Sequence, residues 1–226
     1  MMISEYKKVL LAKAAYIQDR IDMEAAVLYL LPSAHQVVSF YVEKTDTEAF
    51  AVRIDDTAII GFSGTEGWLD IWHDLQFIPS AYENLQGEKI GHVHFGFKKI
   101  LRQIKGPVNE ALKTLFPNGG IHTIIIVGHS LGGAIAIGCA DLITVDYKKL
   151  EITTYGCPNG WSRAAKRRYM KKYKIRNYIN WFDFVPLSLI FFTVRPGNSI
   201  YLCGFPGHRL NNYINWIKRK DGVNEL

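Results

Sequence analysis

Residues 123–141 read TIIIVGHSLGGAIAIGCAD and change character at their middle. Thr123 to Val127 are all β-branched, the composition of a strand buried on both faces. Small residues dominate from Gly132 to Ala140, which describes a helix able to lie close against a sheet. The junction is Gly128-His129-Ser130-Leu131-Gly132, the G-x-S-x-G spacing of a turn that exposes a serine between a strand and a helix. Such a turn strains the serine's backbone. It also needs small residues two places before and two after, where strand and helix converge. The spacing by itself also fits an ordinary glycine turn, and it is the strand before and the helix after that single this one out.

Outward from this junction, strand and helix patterns alternate from about residue 90 onward. EITTYG (151–156) and IRNYINW (175–181) read as strands, and WSRAAKRRYMKKY (161–173) and HRLNNYINWIKR (208–219) as helices. This alternation predicts an α/β fold with a mostly parallel central sheet and helices on both faces. Upstream, QVVSFYVEK (36–44), EAFAVRID (48–55) and TAIIGFSG (57–64) read as strands, the first two joined by a hairpin at TDT (45–47). Two helical patterns, Ser4–Gln18 and Ile21–Leu31, open the chain. HFGFKKILRQIKGPVNEALKTLF (94–116) reads as a helix kinked or broken at Gly106-Pro107. No repeat, low-complexity tract or linker interrupts the chain, so one domain is expected over 1–226, with N-terminal helices at about 4–31.

The 226 residues are 48% apolar and 21% charged, enough for a substantial core. Charges scattered through the first twenty residues suit an amphipathic helix and not a secretory leader. The most apolar stretch elsewhere, Phe184–Val194, is far shorter than the roughly 20 residues of a membrane-spanning helix. Cys139, Cys157 and Cys203 are widely spaced and read as buried thiols in a reducing compartment. A cytoplasmic protein is the expectation, with peripheral membrane contact as an addition. No His/Cys cluster has metal-ligand spacing, so neither metal nor other cofactor is expected. The net charge of +6 concentrates in RAAKRRYMKKYKIR (163–176). That stretch reads as a solvated helix face, or as a surface for anionic lipid or an acidic partner through Arg163, Lys166, Arg167 and Lys171. No nucleic-acid motif accompanies it, so no nucleic-acid partner is expected.

A serine hydroxyl becomes a nucleophile when a base takes its proton and an acid orients that base. On this kind of turn the chain order is serine, acid, histidine. Of the seven histidines, His208 alone follows Ser130. Between them lie Asp141, Asp146, Glu151 and Asp183. Asp141 falls eleven residues along the helix, about 16 Å away at 1.5 Å per residue. Asp146 lies further on, and Glu151 opens a strand at the opposite sheet edge. Asp183 directly follows IRNYINW, at the carboxyl edge where α/β sites gather. Ser130, Asp183 and His208 are therefore the predicted nucleophile, acid and base. Acyl chemistry also needs donors for the carbonyl oxygen as it becomes negative. Leu131 offers its backbone N–H beside the nucleophile, and Thr65 in the turn Ser63-Gly64-Thr65 offers a second, although that turn is unremarkable by itself.

The chain resembles the class 3 lipases, the fungal-lipase-like branch of the α/β-hydrolases, over about residues 50–215. AIIGFSGTEGWLDIWHDLQF is similar to the family's F-R-G-T oxyanion strand and the D-W-x-x-D-L segment after it. HVHFGFKKIL is similar to V-H-x-G-F, IVGHSLGGAIA to the nucleophile turn, and TYGCPNGWS to the strand T-F/Y-G-x-P-x-x-G. DFVPLSL resembles D-x-V-P-x-L-P, and GHRLNNYI the closing H-x-x-x-x-Y. These motifs stand in the family's order. The resemblance implies hydrolysis of lipid acyl esters by Ser130, Asp183 and His208, with Thr65 and Leu131 as oxyanion donors. It also implies that Glu66 to Gln76 form a lid over an acyl site, with Trp68 and Trp72 as substrate contacts. The same segment reads equally as an ordinary packed helix. His94 and His129 are further candidates for substrate binding. PLSLIFF (186–192) reads as an acyl-pocket wall or as a core strand. Ser63 stands where the family carries arginine, and Leu189 where it carries proline. A phospholipase acting on anionic membranes and a non-catalytic binding module on a hydrolase scaffold are the alternatives.

Overall fold

A computed structural model describes residues 3–43, 46–64, 79–83, 87–187, 193–204 and 206–223. Helices α1 (Glu5–Ala14) and α2 (Arg20–Leu30) come first, each started by a side chain that accepts an orphan backbone N–H. Ser4 caps Lys7 at 3.2 Å, and Asp19 caps Ile21 at 2.8 Å. Strands β1 (Gln36–Val42), β2 (Thr47–Ile54) and β3 (Thr57–Phe62) then run antiparallel. After the hairpin β4 (Pro79–Glu83) and β5 (Lys89–His94), helix α3 (Phe95–Leu115) leads to β6 (Thr123–His129). Helix α4 (Leu131–Cys139), β7 (Lys149–Tyr155), α5 (Arg163–Lys172) and β8 (Lys174–Asn180) follow. The short α6 (Phe184–Leu187), β9 (Asn198–Leu202) and α7 (Leu210–Lys220) complete the order.

The main sheet has the order β1-β2-β3-β6-β7-β8-β9 and is parallel from β3 onward. Because successive residues of a strand face opposite sides, β3 and β6 divide their isoleucines between two cores. Ile60, Ile124 and Ile126 pack with Phe97, Ile104 and Ala134 under α3, α4 and α5. Ile59 and Ile125 pack with Val9, Leu11, Met23 and Tyr213 under α1, α2 and α7. Each fully buried isoleucine contributes about 1.5–3 kcal/mol, so both faces hold the central strands in place. The carboxyl ends of β6, β7 and β8 are thereby fixed against one another, and the site is built there.

The structure differs from the sequence expectations at two points and adds elements they did not include. Helix α3 runs unbroken through Pro107. Gly106 has open space around it and Pro107 is only half-buried, so water can satisfy the carbonyl that loses its donor. Buried Ile104, Val108 and Leu112 hold the helix across that point. Strand β9 and the β4–β5 hairpin were not legible in the pattern, because both are short and expose much of their length. Cys139 and Cys157 are buried, but Cys203 is exposed. No helix among the described residues is long and apolar enough to cross a membrane.

Candidate active site

Ser130 lies between β6 and α4 with φ 57° and ψ −129°, a left-handed conformation that costs a non-glycine residue about 1–3 kcal/mol. The surrounding structure over-determines it. The Ser130 N–H donates to the Tyr155 carbonyl at 2.9 Å, and the Gly133 N–H donates to the Ser130 carbonyl at 3.0 Å. A Cβ on Gly128 would come within 2.2 Å of the Gly132 carbonyl oxygen. One on Gly132 would come within 2.5 Å of the carbonyl oxygens of Phe62 and Ser63. Strand, turn and helix pass each other backbone to backbone, which explains the small residues on both sides of the serine.

His208 joins the two other predicted residues. Its Nε2 lies 2.6 Å from Ser130 Oγ, and its Nδ1 lies 2.7 Å from Asp183 Oδ2. Asp183 follows β8 and is fully buried. Its other neighbours donate to it: the Tyr213 hydroxyl at 2.6 Å to Oδ2 and the Val185 N–H at 3.0 Å to Oδ1. A carboxylate that only accepts leaves Nδ1 of His208 to carry the proton, so Nε2 presents a lone pair to the serine. Ser130, His208 and Asp183 thus form one hydrogen-bonded chain. The other acids lie elsewhere: Asp141 accepts from the Tyr173 hydroxyl at 2.6 Å and from Lys172 at 3.1 Å, and Glu151 accepts from Lys174 at 2.8 Å.

The loop carrying His208 is braced on several sides. The Gly207 N–H donates to the Phe182 carbonyl at 3.0 Å, and the Asn212 side-chain amide donates to the Gly207 carbonyl at 3.2 Å. His129 stacks on the His208 ring, with centroids 4.7 Å apart and planes 27° apart. Burial, and then the neighbouring His208, hold the His129 imidazole well below the usual histidine range, so it is neutral. Burial and the charge of Asp183 push the Tyr213 phenol well up, which keeps it a donor to the carboxylate.

Two candidates for substrate contact have different surroundings. His94 is buried at the start of α3, where its Nδ1 accepts the Gly96 N–H at 3.2 Å and its ring packs on Phe97. His129 is buried beneath the base. Both rings hydrogen-bond to backbone, His94 to the Gly96 N–H and His129 to the His208 carbonyl. Leu131 opens α4, where its N–H belongs to the first turn that lacks intrahelical acceptors. Thr65, the segment 66–76 with Trp68 and Trp72, and residues 188–192 lie outside the described residues. Ser63, in place of the family's arginine, ties the oxyanion strand to β2: its Oγ accepts the Glu48 N–H at 3.0 Å.

The sequence reading missed Tyr213 and Tyr16. Tyr213 is the closing tyrosine of GHRLNNYI, so its signal was its fixed distance from His208. Tyr16 carries no local signal, since it meets its partner His129 across 113 positions. Flanking Asp183 in the chain, Trp181, Phe182 and Phe184 are exposed, Phe184 by 84%, and Trp181 stacks on the exposed Tyr201 of β9 at 4.6 Å. On α5, Arg163, Arg167 and Lys171 are exposed and Lys166 is half-buried, while Arg168 pairs with Glu88 and Lys172 with Asp141.

A family model for Lipase (class 3) matches residues 59–192. A lipase of Rhizomucor miehei is 32% identical over 97 residues, 42% of this chain and 26% of that protein. A lipase of Rhizopus oryzae is 30% identical over 112 residues, 47% of this chain and 27% of that protein. The chain spans about a quarter of the length of the curated relatives it matches. Among solved structures, the Rhizomucor miehei lipase–propeptide complex superposes with a TM-score of 0.70 at 22% identity, covering 87% of this chain and 66% of that one. A triacylglycerol lipase from Penicillium expansum gives a TM-score of 0.71 at 19% identity, covering 88% and 78%. The fold is that of the α/β-hydrolases.

Proposed function

The chain belongs to the class 3 lipase family, and we propose that it is a serine carboxylester hydrolase that cleaves acyl esters of lipids. The observation that carries the reading is the His208 ring held between Ser130 Oγ and Asp183 Oδ2 at 2.6 and 2.7 Å.

In the proposed reaction Ser130 Oγ attacks the ester carbonyl carbon while its proton passes to His208 Nε2. Asp183 holds the Nδ1–H and stabilises the imidazolium that forms. The Leu131 N–H, at the positive end of α4, takes up the developing oxyanion, with Thr65 as the second donor in the place the family pattern gives it. The carbon–oxygen bond to the alcohol then breaks, and the alcohol leaves with the proton from Nε2. Water gives a proton to the same nitrogen and attacks the acyl-serine. The carboxylic acid departs and Ser130 recovers its hydrogen. One α/β-hydrolase domain, with the N-terminal helices packed on it, suffices for these steps.

A lipid-like substrate is favoured by the exposed aromatics at residues 181–184 and 201, since water-exposed rings gain free energy on contact with acyl chains. The exposed Cys203 thiol suits a reducing, cytoplasmic setting. A second reading, a phospholipase working on anionic membranes, is favoured by the exposed cations along α5. Salt-sensitive binding to anionic vesicles is its signature.

The test is hydrolysis of chromogenic esters by the purified protein, together with labelling by a fluorophosphonate. Ser130→Ala is expected to abolish the labelling and to lower kcat by about 10⁴-fold or more. Undiminished hydrolysis by that variant would sink the proposal.

A further inference from the structure

The N-terminal segment reaches the site through one side chain. Tyr16, just beyond α1, places its hydroxyl 2.7 Å from Nδ1 of His129. On the other side of the same ring, Nε2 lies 2.9 Å from the backbone carbonyl oxygen of His208. A carbonyl only accepts, so Nε2 must carry the hydrogen. A neutral imidazole has one N–H, which leaves Nδ1 as an acceptor and makes the Tyr16 hydroxyl its donor. The direction of both hydrogen bonds is thus fixed by chemistry: Tyr16 donates to His129, and His129 donates to the backbone of the base.

The same hydroxyl occupies the space a side chain at Gly64 would need. A Cβ built on Gly64 would lie 2.6 Å from it and 2.9 Å from Ser130 Cβ. Oxyanion strand, nucleophile turn and base loop therefore meet around Tyr16 and His129. None of the predicted catalytic residues supplies this junction. Tyr16 also lies outside residues 59–192, the part of the chain that the family model matches.

We propose that Tyr16 is a positioning residue for the base: its hydroxyl sets the tautomer of His129, and His129 holds the His208 backbone where Nε2 meets Ser130. Without the hydroxyl, the Nδ1–H tautomer of His129 competes. The Nε2 lone pair then faces the His208 carbonyl, the two repel, and the base loop moves off Ser130. The Tyr16–His129 pair acts on geometry at the reacting atoms, so its loss lowers kcat while leaving KM for a short soluble ester in place. This inference rests on the hydrolase reading for its kinetic arm but not for its structural one.

The experiment compares the full-length protein with Tyr16→Phe, which keeps the ring and loses only the hydroxyl. Expected are a kcat about ten-fold lower on a short-chain p-nitrophenyl ester, a KM within about two-fold, and an unchanged thermal midpoint to within a few degrees. In long-range proton–nitrogen spectra the histidine assigned to residue 129 should be in the Nε2–H form in the parent and a mixture in the variant. His129→Leu removes both hydrogen bonds at once, so adding Tyr16→Phe to it should change kcat by less than about two-fold. A Tyr16→Phe protein with parental kcat and an unmixed His129 overturns the proposal. So does an equal loss of kcat in the His129→Leu background. If the parent hydrolyses no ester yet the tautomer shifts in Tyr16→Phe, the hydrolase reading falls and the Tyr16–His129 pairing stands.

Discussion

At the scale of single residues, Asp183 is held from several sides. It has no exposed surface and gathers three donors, from His208, Tyr213 and Val185. Tyr213 also accepts the Asn180 N–H at 3.3 Å, so one phenol steadies both the acid and the end of the strand that carries it. Tyr213→Phe leaves a buried carboxylate oxygen short of a donor and the Asn180 N–H short of an acceptor. The expected cost is about 2 kcal/mol of folding stability, read from chemical denaturation. It should come with a fall in kcat of about ten-fold as Asp183 loses its fixed orientation. A variant with unchanged denaturation midpoint would show that Tyr213 merely fills space. The sequence made Ser130 and His208 legible for a simple reason: the turn marks the first, and the second is the lone histidine after it. Tyr213 was hidden in plain view, because a tyrosine five residues past a histidine says nothing until the α7 helix turns it back under Asp183.

At the scale of elements, the nucleophile turn depends on how closely β6, α4 and the end of β3 approach one another. Gly132→Ala would press a methyl group against the carbonyl oxygens of Phe62 and Ser63, both backbone atoms that cannot rotate away. The expected loss is at least about 4 kcal/mol, seen as an early denaturation midpoint or as failure to recover folded protein. A variant with parental stability would mean that strand and helix separate more easily than this packing allows. The central elements were readable because buried parallel strands are near-continuous β-branched runs and their helices carry small residues. The edges were not. β9 buries little beyond Leu202, and the β4–β5 hairpin mixes exposed and buried positions irregularly, so neither has the period that identifies a strand. Helix α3 is continuous across Pro107 for the opposite reason. Proline at a half-exposed position removes one hydrogen bond, and the buried residues on either side outweigh that loss.

At the scale of the whole molecule, a net charge of +6 is spread unevenly, with exposed Arg163, Arg167 and Lys171 on α5. If α5 serves anionic membranes, binding to vesicles containing an anionic phospholipid should weaken as ionic strength rises from about 0.05 to 0.5 M, because screening shortens the reach of these charges. Arg167→Glu with Lys171→Glu should weaken it further, by about 1 kcal/mol or more for each reversed charge. Binding indifferent to both changes would leave the exposed aromatics at residues 181–184 and 201 as the lipid-facing surface. The sheet itself has a different consequence at this scale. Its strand order places the nucleophile, the acid and the base at successive points along the chain, with β9 still to be added beside β8 before the loop of His208 can close over Ser130. A chain cut after β9 would lack both His208 and Tyr213, the two side chains that meet Asp183 Oδ2. Under the proposed function such a chain has no proton acceptor for Ser130, and ester hydrolysis waits on the last helix.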